Sequence, residues 1–563
     1  MKKLIILFLF LAACQPKPSA EKRQETGPIG KSAMVASAHP LATKVGVQIM
    51  KDGGNAFDAA VAVKLALAVV YPQAGNIGGG GFAVFRNADG TVGALDFREK
   101  APLAASRDMY LDEVGDVIEN MSTLGHLAVG VPGSVAGIWE LHQRHGRLPW
   151  KDLVKPAIDL AFEGYRLTEK AAGILNYTQE GFTKANDYTP WVVNEAGWKE
   201  GDVVSQRELG ETLKQIRDQG RDGFYTGAVA ELLVNEMERG KGLITQEDLD
   251  NYAPVWRKPI IASYNGNKII SMPPASSGGI ALAQLLYGAE KMRLGDLAHN
   301  SAEYINVMAE LEKRVYADRT THLGDTDFYD TPIGNLLSAD YLDERFAGIE
   351  KGKVTPSIEI SHGEISPKES EQTTHFSIVD PEGNAVAITT TLNGSMGSRV
   401  MVKGGGFILN NEMDDFSAKP GTPNMFGLLG SEANEIVPGK RMLSSMTPTI
   451  VEKDGQLKMV VGTPGGATII TSVFQTIINV LDHDMTMQEA VDAPKIHHQW
   501  LPELLFVEKD KLSTSVLEEL KEMGHEINER NSIGRMDCVL VRQDSTLEGG
   551  SDRTRADNYS EGF

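Results

Sequence analysis

The chain has only two cysteines in 563 residues, Cys14 and Cys538, which excludes a disulfide scaffold and a multi-thiolate zinc site. Basic residues are the minority, 55 Lys+Arg against 76 Asp+Glu. The resulting net charge of −21 argues against a nucleic-acid binder, which needs a basic footprint. Long apolar runs are missing too. Leu4–Ala13 is too short to span a bilayer, and Ala59–Val70 is short and interrupted by Lys64, which makes it a buried helix. Several catalytic signatures fail on spacing. Gly30-Lys31-Ser32 would need its first phosphate-loop glycine at position 25, where Glu25 stands. Gly78–Gly81 precedes a strand rather than a helix, which disfavours a dinucleotide fingerprint. No Gly-x-Ser-x-Gly elbow or His-Glu-x-x-His helix occurs, and the twelve histidines are scattered, with His497 and His498 adjacent, so no metal site is expected.

What is present is ordinary globular composition, 41% hydrophobic and 23% charged, with 58 glycines for tight turns and close backbone approaches. Length alone suggests three or four domains. The N-terminus reads as an address. Lys2 and Lys3 precede the apolar Leu4–Ala13, which ends in Leu11-Ala12-Ala13-Cys14. Residues 1–13 are therefore an expected signal peptide, and residues 14–27, polar with Pro16 and Pro18, an expected flexible tether.

Patterning predicts helices over Leu41–Lys51 and on through Val70, then strands Phe82–Arg86 and Val92–Phe97 joined at Asp89-Gly90. A mostly helical middle is expected from Ser134 to Phe346, with Ser271–Gly279 a loop in it. Lys351–Glu371 reads as a mobile polar linker. After it, Thr373–Val379 and Ala385–Thr391 read as two strands joined by Asp380-Pro381-Glu382-Gly383-Asn384. The fold class is α/β or α+β, with antiparallel strands at the key position.

The chemistry gathers after the linker. Gln372-Thr373-Thr374-His375 opens a strand, followed by Thr391-Leu392-Asn393, Asn410–Phe416, Leu443–Met446 and Pro464-Gly465-Gly466, with Asp96–Glu99 upstream. In this order, these motifs resemble the γ-glutamyltranspeptidase (glutathione hydrolase) family of N-terminal-nucleophile hydrolases, over essentially Gly27 to Phe563. The resemblance implies an α+β four-layer αββα sandwich. It implies a precursor cut at Gln372-Thr373 into a large subunit, 28–372, and a small one, 373–563, which stay together as one unit.

Thr373 would then be both nucleophile and base. A threonine hydroxyl needs a base to take its proton, and cleavage frees an α-amine on the same residue with a reference pKa near 8. Thr391 matches the threonine that orients the nucleophile, and Gly465 and Gly466 match the oxyanion hole. Arg98, Ser444 and Ser445 match the binders of the substrate α-carboxylate. Asn393, Glu412 and Asp415 match the acceptors of its α-ammonium. His375, two residues from Thr373, belongs on the same strand face.

No cofactor or metal is implied. The partners are γ-glutamyl compounds such as glutathione, amino acid or peptide acceptors, and the sister subunit. The Cys14 run resembles a lipobox, which implies export to the periplasmic face of a bacterial membrane through an N-terminal lipid, or a soluble periplasmic enzyme. Two rivals stand beside this reading. One is a cephalosporin or glutaryl acylase of the same superfamily, whose substrate lacks the amine that Asp415 would bind. The other is a non-enzymatic binding lipoprotein, against which the intact Gln372-Thr373 pair speaks.

The stretch Pro420–Arg441 resembles a lid loop that in some members carries a tyrosine latched to the asparagine matched by Asn393. Here the residue is Phe426, which can pack but has no hydroxyl to donate, so a looser lid is expected. Substituting Phe426→Tyr should therefore change the ratio of hydrolysed to transferred product measured with and without an amino acid acceptor. An unchanged ratio would remove the lid from the account.

Overall fold

The computed structural model describes residues 25–360, 373–419, 421–553 and 557–563. The signal segment 1–13, Cys14, most of the tether, Gln372 and the second half of the linker lie outside the described residues, as does Pro420.

Two seven-stranded antiparallel sheets lie face to face. The first runs, edge to edge, through Tyr559–Gly562, Met34–Ser37, Thr374–Val379, Ala385–Thr391, Gly80–Arg86, Val92–Phe97 and Val255–Arg257. The second runs through Ile29–Gly30, Leu547–Ser551, Asp537–Val541, Gln456–Val461, Thr449–Lys453, Asn267–Ser271 and Ile260–Tyr264. Each sheet takes strands from both sides of residue 373.

Side-chain alternation sorts these strands into three apolar layers. Met34, Ala36, Phe82, Val84, Ile450, Val460 and Val539 meet between the sheets. Val35, Ala83, Phe85, Phe376 and Ile378 face the helices Pro40–Lys51 and Ala56–Val70 on one outer side. Val451, Met459, Val461 and Leu540 face Gly278–Met292, Ala302–His322 and Thr468–Leu481 on the other. Helix, sheet, sheet, helix is the four-layer αββα arrangement, and one sandwich replaces the several domains that length suggested.

Local chemistry explains the elements that matter here. Asn55 caps Ala56–Val70 through a capping box with Asp58, and every residue of that helix is buried. Its single cation, Lys64, is tolerated because its ammonium donates to the Asn76 carbonyl at 2.5 Å and to Ser134 Oγ at 3.1 Å. The pairing of Thr374–Val379 with Met34–Ser37 sets Met34 opposite Val379. Gly562 pairs with Met34 from the other side, and the Ser32 N–H donates to the Phe563 carbonyl at 2.7 Å. Both ends of the described chain thus meet at the Val379 end of the strand.

The structure adjusts three expectations. The mostly helical middle also carries strands: Ile260–Tyr264 and Asn267–Ser271 form a hairpin at one edge of the second sheet. Its turn is Asn265-Gly266, with φ 46° and 74°, the left-handed pair that a tight hairpin requires. Ser271 therefore ends a strand and Gly278 starts a helix, leaving residues 272–277 as the loop. The strand at the cleavage point begins at Thr374, not Thr373. The described start of the linker is held in place, since the Thr355 N–H donates to Glu310 Oε1 and the Lys313 ammonium to the Thr355 carbonyl, at 3.0 and 2.5 Å.

His375 faces the space between the sheets. Ser377 Oγ donates to the Asp537 carbonyl at 2.8 Å and so accepts from His375 Nε2, 3.0 Å away; His375 Nδ1 accepts from Thr389 Oγ1 at 2.9 Å. Burial lowers the imidazole from 6.5 to about 3. A depressed histidine contributes stability above its unfolded pKa and loses it as pH falls from 6.5 toward 3. At pH 5 this amounts to about 2 kcal/mol. His375→Gln should therefore narrow its stability deficit by that much between pH 7 and pH 5 in urea unfolding; a deficit independent of pH would show that the ring is not held neutral.

Candidate active site

Thr373 sits at the mouth of the space between the sheets, 3% exposed. Two constraints put it there. The register pairs Thr374 with Thr390, and one further step sets Thr373 opposite Thr391. Alternation puts Thr373 in phase with His375, Ser377 and Val379, which all point toward the facing sheet. His375 is thus on the predicted face, but it lies deeper and is spent on packing beneath Gly462.

The Thr391 hydroxyl accepts the Asn393 N–H at 2.7 Å and is itself hydrogen-bonded to the Glu412 carboxyl, so it ties the strand end to the acids. Asn393 makes the bend at the strand end with φ 70°, and its Nδ2 donates to the Asn411 carbonyl at 3.0 Å. Behind them, Asn76 Nδ2 holds the Thr391 carbonyl at 2.8 Å. Thr391, Asn393, Arg98, Asp415, Ser444, Ser445, Phe426 and Gly466 line one cavity with Thr373. Glu412 and Gly465 stand just outside that lining.

Arg98 follows the strand Val92–Phe97 and is 1% exposed, so it is not the surface ion pair that an isolated arginine motif suggests. Its Nη1 meets Glu412 Oε2 at 2.6 Å and Glu99 Oε2 at 3.5 Å, and its Nη2 donates to Asp415 Oδ2 at 2.5 Å. Glu412 and Asp415 share the short turn Glu412–Asp415, which is packed into the core and is not a solvated loop. The cation and the acids, matched in sequence to opposite ends of a substrate, therefore touch each other here. Burial outweighs the attraction of Arg98 for these carboxyls: Glu99 is pushed up to about 7, Glu412 well above the carboxylate range, and Asp415 upward. Burial thus works against ionisation of all three acids, while Arg98 works for it.

Gly465 and Gly466 adopt φ 143° and 53° just before the helix Thr468–Leu481. Among the described residues neither N–H has an acceptor, so both are free to receive a developing oxyanion. A Cβ on Gly466 would meet the Phe426 ring at 2.6 Å, so glycine is required where the lid closes down. The lid is also tied to the acids: Asn424 Nδ2 donates to Asp415 Oδ1 at 3.0 Å, and the Met425 N–H to Asp414 Oδ2 at 2.9 Å. Phe426 covers the site by packing, 5% exposed. One further cation lines the cavity that no motif singled out, Arg319 from the helix Ala302–His322.

Comparison with known proteins fits this geometry. The model of the γ-glutamyltranspeptidase family matches residues 42–562. The chain belongs to that family. A glutathione hydrolase proenzyme of Pseudomonas aeruginosa is 47% identical over 524 residues, 92% of each chain. The γ-glutamyltranspeptidase of Helicobacter pylori is 42% identical over 61% of this chain and 97% of its own, with a TM-score of 0.57. A cephalosporin acylase of Bacillus halodurans superposes over 99% of both chains with a TM-score of 0.83, but at 25% identity. Sequence likeness thus favours the γ-glutamyl members over the acylase, while the fold is common to both.

Among the described residues no group of His, Cys, Asp or Glu is placed to hold a metal ion, and no helix is long and apolar enough to cross a membrane. Cys538 is a buried free thiol pushed up to about 12 by burial, too basic to act as a thiolate nucleophile near neutrality.

Removing Arg98 would leave its acid partners buried without a cation. We expect Arg98→Gln to destabilise the protein by about 3 kcal/mol. The loss should be larger at pH 8 than at pH 5.5, because a raised carboxyl gives stability below its unfolded pKa that is lost as pH rises through its folded value. Denaturant midpoints at the two pH values check this; equal losses would mean that the acids are not coupled to Arg98.

Proposed function

We propose that the chain is a self-activating γ-glutamyl hydrolase and transferase. The observation that carries this reading is the placement of Thr373, in the first register position beyond a central strand, in one cavity with Thr391, Arg98 and Asp415. In the uncut chain the Thr373 nitrogen is an amide and cannot serve as base. Cleavage after Gln372 would release it as an amine, which takes the proton of Thr373 Oγ as that oxygen attacks the γ-carbonyl of the substrate. The Gly465 and Gly466 N–H groups face the oxyanion. The amine of the leaving group departs protonated, Cys-Gly in the case of glutathione, and a γ-glutamyl ester remains on Thr373. Water or an acceptor amine then attacks that ester.

The zwitterionic head of the substrate has a cation and acids to meet. Arg98, Ser444 and Ser445 suit its carboxylate; Asn393, Glu412 and Asp415 suit its ammonium. Asp415, held against Arg98 at the cavity wall, supports an amine-bearing substrate over a glutaryl one. Since both sheets mix strands from 28–372 and 373–563, the two products of cleavage would remain one folded body. We also propose, from the N-terminal sequence, that the protein is exported and tethered to the membrane through Cys14.

A denaturing gel of purified protein with N-terminal sequencing of the smaller band tests the mechanism. Two bands are expected, the smaller starting at Thr373, and Thr373→Ala should leave one uncut, inactive chain. A small chain with another start would overturn the assignment of the nucleophile.

A further inference from the structure

The cavity holds two buried arginines in opposite electrical situations. Arg98 has acid partners on both Nη atoms. Arg319 is equally buried, 4% exposed, but among the described residues no carboxylate lies within ion-pair distance of it. Its partners are two hydroxyls: Nε donates to Ser277 Oγ and Nη2 to Ser445 Oγ, both at 3.1 Å. Burial lowers its affinity for its proton, while Tyr316 and Asp415 only partly offset that. Arginine nonetheless stays charged. A desolvated cation whose nearest acid in the cavity, Asp415, is already paired with Arg98 is open to an anion from outside.

The hydrogen bonds say how it acts. Ser277 spends its own proton on the Ser444 carbonyl at 2.7 Å, and its N–H donates to the same carbonyl at 2.8 Å. Arg319 therefore grips the Ser444-Ser445 turn directly at one serine and through Ser277 at the other. Because Nη2 donates into the Ser445 oxygen, the Ser445 hydrogen must point elsewhere, and the cavity is the side it lines.

We propose that Arg319 is the positioning residue that makes this site specific for γ-amides bearing a free α-carboxylate: it turns Ser445 into a committed donor and supplies a positive charge that, among the described residues, no ion pair neutralises. Arg98 keeps the carboxylate role given above and is held in place by Glu412 and Asp415. The proposal rests on the γ-glutamyl reading above and adds a second arginine, acting through the serine pair, to the recognition of the carboxylate.

The test compares γ-glutamyl-p-nitroanilide with 4-aminobutanoyl-p-nitroanilide, which lacks only the α-carboxylate, on processed enzyme. Arg319→Gln should raise KM for the first substrate by ten-fold or more with kcat within about three-fold, and leave KM for the second within about two-fold. Arg319→Lys, which keeps the charge but not the fork, should recover most of the KM. Combined with Ser445→Ala, Arg319→Gln should add little to KM, since both act on one hydroxyl.

Equal losses on both substrates, or fully additive effects with Ser445→Ala, would reduce Arg319 to a clamp on the turn and overturn the proposal. If Arg319→Gln is not processed, the lysine variant and the Ser445→Ala cycle built on it decide alone. If the unmodified enzyme turns over neither anilide, the γ-glutamyl reading itself fails, an outcome separate from the others. If it turns over only the first, the discrimination is read from competitive inhibition by L-glutamate against 4-aminobutanoate, with the same expected and overturning results.

Discussion

The antiparallel pairing of Thr374–Val379 with Ala385–Thr391 is the constraint from which the site follows. It sets Thr373 against Thr391, and by alternation it points Thr373 into the space between the sheets. A slip of one residue would turn the nucleophile toward the helical layer and send Phe376 and Ile378 away from their core. The apolar face therefore enforces the catalytic register: the same residues that bury the sheet aim the hydroxyl. His375 and Ser377 complete the lock with hydrogen bonds that reach the facing sheet at Asp537.

Electrostatics impose the second layer of order. A buried arginine needs acids and buried acids need a cation, but the balance around Arg98 is lopsided, and burial raises the proton affinity of the carboxyls in excess. The cavity can in this way present both signs of charge at short range without a large net charge. Asn424 links that balance to the lid, because the loop that carries Phe426 is tied to the acid that contacts Arg98.

Much of this was legible in the sequence because it rests on local signals. Turn residues at 380–384 and period-two alternation announced the two central strands, and the family resemblance singled out Thr373, Thr391, Gly466 and the serine pair, which line one pocket. The Asn265-Gly266 hairpin carried an equally strong local signal and was masked by the helical pattern around it. Two other features carry no such signal. That Arg98, Glu412 and Asp415 touch one another depends on contacts more than 300 residues apart in the chain. Arg319 stands in a helix whose buried face also includes Glu310, Glu312, Lys313 and Arg314, so neither spacing nor composition separates it from structural charges; what does is that, among the described residues, it forms no ion pair.

The meeting of the chain ends at Val379 gives the molecule a direction. Met34 and Gly562 flank that end of the central strand, whereas Thr373 lies six residues away at the other end, roughly 20 Å along the strand. A load applied upstream of Ile29 therefore enters the sandwich at the end of the central strand farthest from Thr373.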